Sequence, residues 1–230
     1  MRKTFLIISL LTVFALGANA QPRNFRIGLK LGPTFDWASS GSTAAKGGPA
    51  RLGFNMGLVT DYHLSEHFAV STGANLNLMR MKYAFTDQRY VEDFLELNNV
   101  TVSRRLKSTV VEIPLKLKVK IDLVDSFLAY VEAGGALGIN CKDMAKDDYT
   151  FYWVSLTGND YNDVKNQYRL LQASMVFGLG AEFEINRNLS VFAQLSFDHS
   201  FSNAFVSSLE KQTGSILRNN FIGIEVGILH

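Results

Sequence analysis

Along the stretch Val110–Asp122, which reads Val-Val-Glu-Ile-Pro-Leu-Lys-Leu-Lys-Val-Lys-Ile-Asp, polarity alternates residue by residue. Ile113, Leu115, Leu117, Val119 and Ile121 fall on one side, and Glu112, Pro114, Lys116, Lys118 and Lys120 on the other. A period of two is the strand period; a helix would scatter these residues around its circumference. The same alternation runs through Phe25–Trp37, Leu52–Tyr62, Phe68 to about Phe85, Phe127–Ile139, Tyr168–Ile185, Leu189–Phe201 and Asn220–Leu229. In the first of these, Phe25, Ile27, Leu29 and Leu31 oppose Arg26, Gly28, Lys30 and Gly32. In the last, Ile222, Ile224, Val226 and Ile228 oppose Gly223, Glu225 and Gly227.

The pattern therefore predicts eight strands, each about ten residues or longer, enough for a tilted crossing of a bilayer. The connections alternate. Residues 38–51, 86–107, 140–167 and 202–218 are long, whereas 63–67, 122–125 and 186–188 are short. Within the long ones, Val91–Leu97 reads as one or two helical turns, and 140–167 reads as the longest irregular segment. This asymmetry belongs to outer-membrane barrels, with short periplasmic turns and long outer loops. The predicted fold is an all-β, eight-stranded antiparallel up-and-down transmembrane barrel of the outer membrane. The rival is a soluble β-sandwich or lipocalin-like barrel, which would have to cover a wholly aliphatic face.

In the barrel the aliphatic faces meet lipid and the minority faces line the lumen. Glycines at 28, 32, 53, 57, 73, 134, 138, 178, 180, 223 and 227 suit an interior too narrow for large side chains throughout. Charges inside such a barrel have to pair. Lys116, Lys118 and Lys120 are expected to meet Glu132, Glu182 and Glu184, and Lys30 to meet Glu225 on the strand that closes the ring. The network is expected to fill the barrel rather than form a gated polar path.

Composition adds the compartment. Residues 1–20 read as a signal peptide: Arg2 and Lys3, an apolar run from Phe5 to Leu16, then Ala18-Asn19-Ala20. The rival is an uncleaved anchor, and no cysteine follows the cleavage site to carry a lipid. Residues 21–230 then form a single barrel domain. A net charge of +2 implies no pull toward nucleic acid. Cys141 is the single cysteine, which excludes an internal disulfide and a cysteine-built zinc site, and reads as a small buried or interfacial residue.

Candidate chemistry is sparse. His63 and His67 share a turn without an evident third metal ligand. Asp198 and His199 are adjacent in a strand and point to opposite faces, so no triad uses both. Glu92-Asp93 and Asp147-Asp148 read as solvated loop acids. No G-x-S-x-G, P-loop or dinucleotide fingerprint occurs. No catalytic, cofactor or metal residue is assigned. Tyr149, Phe151, Tyr152, Trp153 and Tyr161 make the loop 149–161 aromatic. It reads equally as a protein-recognition surface or as an interface girdle capping the barrel mouth.

Phe25-Arg26-Ile27-Gly28-Leu29-Lys30-Leu31-Gly32, Gly53-Phe54-Asn55-Met56-Gly57-Leu58 with Tyr62-His63-Leu64, and above all Val111-Glu112-Ile113-Pro114-Leu115-Lys116-Leu117-Lys118 resemble the PorT-like family of small outer-membrane β-barrels. The resemblance spans nearly the whole chain after residue 20, although the chain closes on Leu229-His230 where many barrels close on Phe or Tyr. It implies an eight-stranded barrel without catalytic residues and, through the name-giving member, a link to type IX protein secretion. The resulting expectation is a non-enzymatic outer-membrane barrel, a structural or accessory component of protein secretion. Its partners would be outer-membrane lipid and secretion proteins touching residues 140–167 or the periplasmic turns. The alternative is a small passive pore or an outer-membrane enzyme of unknown substrate.

Overall fold

The computed structural model describes residues 24–41, 45–90, 97–124, 126–151, 154–158, 160–186, 188–206 and 216–230. The signal peptide read at 1–20 and all but the last residue of the helical turns read at 91–97 lie outside them. The long strands are β1 (Phe25–Ser40), β3 (Arg51–His63), β4 (Phe68–Tyr90), β5 (Leu97–Val124), β6 (Phe127–Phe151), β9 (Leu171–Asn186), β10 (Leu189–Ser200) and β11 (Leu217–Leu229). Three short strands, β2 (Ala45–Gly47), β7 (Val154–Thr157) and β8 (Asn162–Asp163), attach to the longer ones. Each long strand pairs antiparallel with the next, and β1 pairs with β11 from Gly28↔Leu229 to Ser40↔Leu217. The seam is sealed at one end by Ile27 N→His230 O at 2.9 Å and His230 N→Ile27 O at 2.8 Å. The result is the closed eight-stranded antiparallel barrel that the alternation predicts, with its backbone donors and acceptors satisfied inside the wall. Among the described residues no helix is long and apolar enough to cross a membrane; strands do the crossing.

The two faces fall as the alternation requires. Leu115 is 64% exposed and Leu137 67%, while Lys118 between such residues is 3% exposed. Outward leucines and isoleucines ring the wall, and the polar face is interior. This inverts a soluble barrel and fits one solvated by hydrocarbon.

The wall is taller than a membrane needs. β5 has 28 residues, a path of roughly 90 Å at about 3.3 Å per residue, where a crossing takes about ten. Above the apolar band the chemistry of the same two faces reverses. On β4, Leu78 points out and is exposed; the next outward residues are Arg80 and Lys82, while Met79, Met81, Tyr83 and Phe85 are buried inside. On β5, Val102, Leu106 and Val110 are buried while Lys107 is exposed. On β6 the register slips by one, with Asn140 opposite Val110 and Lys142 opposite Thr109, so Cys141 is an extra residue in a bulge. The bulge keeps Asp143 and Ala145 facing inward. The barrel thus has a membrane storey with a polar interior and an outer storey with an apolar one.

This outer storey corrects several expectations. Residues 86–90 and 97–107 are strand, paired up to Tyr90↔Leu97, so Leu97 is not helical. Residues 140–151 continue β6, and only the part beyond forms short strands and a 3-10 turn at Lys165–Gln167. Ala38–Ser40 extends β1, and β2 fills part of the expected loop 38–51. At its start β9 is shorter than read: Tyr168 instead forms an isolated bridge with Phe205. Cys141 is exposed rather than buried, because the bulge turns it out of the wall. Charge on the outward face contradicts the lipid-facing template and gives these segments the look of loops in the sequence, yet such charge is what a strand wall in water carries.

Candidate functional site

The membrane storey is filled by ion pairs from neighbouring strands. Lys30 Nζ donates to Glu225 Oε2 at 2.8 Å, and Gln194 Nε2 and Ser196 Oγ donate to the same carboxylate at 2.6 and 3.1 Å. Lys116 pairs with Glu132. Lys118 Nζ lies 2.7 Å from Asp61 Oδ2 and 3.6 Å from Glu182 Oε2, and 4.0 Å above the Tyr130 ring. Glu182 also receives Arg26, Lys120 at 3.5 Å and Ser190 Oγ at 2.8 Å. Higher up, Asn75 and Asn77 donate to Glu112, each at 3.2 Å, and Ser174 Oγ donates to Asp198 at 2.8 Å.

Glycines make this packing possible. Tyr130 stands opposite Gly180 and Glu132 opposite Gly178. A side chain at Gly178 would begin 2.6 Å from Glu132 Oε1, and one at Gly180 would begin 2.5 Å from the Tyr130 hydroxyl. Each large inward residue is accommodated by the absence of a Cβ on the next strand. A cavity of about 20 Å³ remains at mid-height between Glu112, Asp198, Gln172 and Asn219, room for roughly one water.

Sequence reasoning found Lys30–Glu225, Lys116–Glu132, and Glu182 as a partner of Lys118 and Lys120. Glu184 is not in the network. It sits exposed at the end of β9, on the rim of the periplasmic mouth. Asp61 and Arg26 were not anticipated as partners. Lys118 reaches Asp61 across β4, where its opposite residue is Ala69 and the residue opposite Asp61 is Ser71. Small inward residues on the strand between were the signal.

The outer storey closes the barrel with a cap. Phe205 and Leu217, both fully buried, pack among Met81, Tyr83, Phe85 and Leu106. The Tyr83 and Tyr168 hydroxyls bond each other. Arg104 grips Asp147 with two bonds, Nε→Oδ1 at 2.7 Å and Nη2→Oδ2 at 2.6 Å, and donates to Gln167 Oε1 at 2.5 Å. Its guanidinium lies 5.2 Å from the Phe85 ring centre. Burial alone would lower the Arg104 pKa, but the Asp147 carboxylate and the two tyrosines outweigh it and hold the group charged. Burial raises the Tyr83 phenol well above its usual range. Of the aromatic loop, Tyr149 is half-buried against this core and Tyr161 lies under Lys107 Nζ at 3.9 Å; the side chains of Phe151, Tyr152 and Trp153 lie outside the described ones.

Residues 18–206 match the profile of the outer membrane protein beta-barrel domain family. The chain belongs to that family. No curated protein matches it. Among solved structures it is similar to the Neisserial surface protein A, at 10% identity over 89% of this chain and 95% of that one, with a TM-score of 0.48. It is also similar to Ail, the attachment invasion locus protein of Yersinia pestis (11% identity, 90% and 99% covered, TM-score 0.35), and to the outer membrane protease OmpT of Escherichia coli (8%, 91% and 97%, 0.39).

As an outer membrane β-barrel domain, the chain lies in the bacterial outer membrane in contact with lipid, with the long-connection end outward. At the periplasmic end this barrel domain holds an open pocket of about 550 Å³, lined by Arg26, His63, Lys120, Glu184 and the β5–β6 turn. His63 Nε2 is 2.8 Å from Lys120 Nζ, and the His67 carbonyl accepts from the Lys120 backbone N at 2.8 Å. Asp198 points into the lumen, whereas His199 lies on the other face, its Nδ1 2.5 Å from Asn220 Oδ1. Asp147 and Asp148 are not free acids but hold Arg104 and Arg105. Among the described residues no group of three His, Cys, Asp or Glu side chains is placed to hold a metal. The arrangement fixes charge and seals space.

Proposed function

We propose that this family member is a non-enzymatic structural or accessory barrel, made mature by removal of residues 1–20, which works through its outer and periplasmic surfaces rather than through its lumen. The observation that carries the reading is the filled interior: paired charges through the membrane storey and an apolar plug around Phe205 above it. Among the described residues neither leaves a path for solutes through the lumen, and the periplasmic pocket does not bring a nucleophile, a base and its orienting group together. The resemblance of Glu112-Ile113-Pro114-Leu115 and its flanks to PorT-like barrels supports a role in protein secretion of the type IX kind. Secretion proteins would then meet residues 140–167 or the periplasmic turns. Deletion followed by comparison of the secreted proteins tests the secretion role; an unchanged secreted fraction would remove it. Planar-bilayer recording tests the closed lumen. Silent membranes are expected, and stable unitary conductance would favour the small-pore alternative instead.

A further inference from the structure

Just above the apolar band, the outer face of β4, β5 and β6 carries a ladder of cations. Arg80 stands opposite Lys107, Lys82 opposite Arg105, and Arg105 opposite Lys146, while Lys142 lies opposite Thr109 one row below. Arg80, Lys107 and Lys142 are exposed and Lys82 is half-buried, and all six share the face that bears Leu78 and Ile113 lower down. The carboxylates beside them are Asp148, which pairs with Arg105 at 2.8 Å, and Asp163, whose strand adds to β6 at Met144. Lys82 and Lys142 make no ion pair among the described residues. Like charges directly opposite on a sheet destabilise it. Asp148 neutralises Arg105 from within the chain, but Arg80 opposite Lys107, with Lys82 and Lys142 beside them, marks a surface that is neutralised from outside.

Height identifies what neutralises it. Arg80 is two residues above Leu78, roughly 7 Å along a strand, and Lys82 roughly 13 Å. With the strand tilt, these rows stand about 5–10 Å above the hydrocarbon edge, the depth of lipid headgroups. The outward turn of the ladder points it at neighbouring lipid rather than over the barrel mouth. We propose that Arg80, Lys82, Lys107 and Lys142 bind the phosphates of acylated sugar headgroups in the outer leaflet. Arginine forks a phosphate with two bonds and lysine meets it as a point charge. Adjacent cations spaced about 5–7 Å apart suit a headgroup bearing more than one phosphate. The assignment rests on the placement of the barrel in the outer membrane and is independent of the secretion reading.

The test uses the full chain in phosphatidylcholine nanodiscs doped with bisphosphorylated lipid A or its dephosphorylated form, with bound lipid counted by native mass spectrometry. Preferential retention of the phosphorylated lipid by at least tenfold is expected, falling as salt rises. Lys82→Gln/Lys107→Gln/Lys142→Gln should remove that preference, bringing the retention of the two lipids to within about twofold of each other, with heat-modifiable migration unchanged. Equal retention of the two lipids by the unmodified protein would overturn the proposal whether or not the variant folds. Equally tight binding of the deacylated, soluble bisphosphorylated disaccharide would overturn the lipid assignment in favour of a soluble polyanion.

Discussion

Leu117 and Lys82 point outward from adjacent strands of one continuous wall, and their interior neighbours are as different as they are. Beside Leu117 the inward residues are Lys116 and Lys118, buried and ion-paired; beside Lys82 they are Met81 and Tyr83, buried in an apolar core. Strand geometry supplies only an inside and an outside. The surroundings decide which chemistry goes where. In hydrocarbon the outward face has to be apolar, the backbone is satisfied by ring closure, and the narrow interior is free to hold charge if every charge is paired. In water the outward face is polar, and hydrophobic burial holds the interior together. The membrane storey therefore depends on completeness of pairing and the outer storey on packing.

The largest expected difference tests pairing. Lys118→Leu should cost about 3–5 kcal/mol, because it leaves Asp61 buried without its cation and takes one of three cations from Glu182. Adding Asp61→Asn should recover much of that loss. Reversible urea unfolding in lipid vesicles reads both. An unchanged midpoint for the single variant would mean that the interior is wetter than the packing implies.

Most of the membrane storey was legible because alternation and closure act together. Once the eight strands and their order are set, Lys30 has to meet β11, and Glu225 is the acid waiting there. Lys118–Asp61 was not legible, since it skips a strand and depends on Ala69 being small. The outer storey was missed for a different reason. Met79, Met81, Tyr83 and Phe85 alternate as cleanly as Leu115 and Leu117, but with the phase that puts apolar residues inside. The alternation carries the strand through them to about Phe85, but a template that expects apolar residues outside does not show that the reversal opens a second storey. Phe205 and Tyr168 enter the same core from connections far apart in sequence, and no local pattern announces that meeting.

The outward faces provide a smaller contrast. Leu117→Arg, 48% exposed and in the middle of the apolar band, should cost about 2–4 kcal/mol in a bilayer, measured by the same unfolding assay. A loss below about 1 kcal/mol would place Leu117 near an interface rather than the midplane.

The outer storey should also respond to pH through Asp143. Burial raises its pKa from 3.8 to about 6, against the lowering effect of hydrogen bonds from Ser108 and Asn140, with Asp163 adding repulsion. A carboxyl whose folded pKa lies above its unfolded one binds more protons when folded. Its stabilisation is present below about pH 4 and is lost as the pH rises through about 6. Amide exchange at Val164, whose N–H donates to the Asp143 carbonyl at 3.0 Å, should therefore be slower at pH 4.5 than at pH 7 after correction for intrinsic rates. Asp143→Asn should flatten that difference while leaving exchange in the membrane storey unchanged. A flat profile in the unmodified protein would count against a dry outer core.

The smallest effect is the most direct statement of where the membrane ends. Lys82 and Leu117 point the same way, so a barrel embedded as high as Lys82 would gain appreciably from Lys82→Leu by removing a charge from hydrocarbon. If Lys82 stands at headgroup height, the substitution exchanges a solvated cation for a solvated leucine beside Lys107 and Arg105. The leucine adds exposed apolar area, and the lost cation relieves repulsion from Arg105, so the two changes oppose each other. Stability in neutral phosphatidylcholine should then stay within about 0.5 kcal/mol of the unmodified protein. Thick and thin bilayers sharpen the result: near-neutrality in both fixes Lys82 above the hydrocarbon, whereas stabilisation in the thick bilayer alone would put the boundary between Leu78 and Lys82 and lower the cation ladder into the membrane edge.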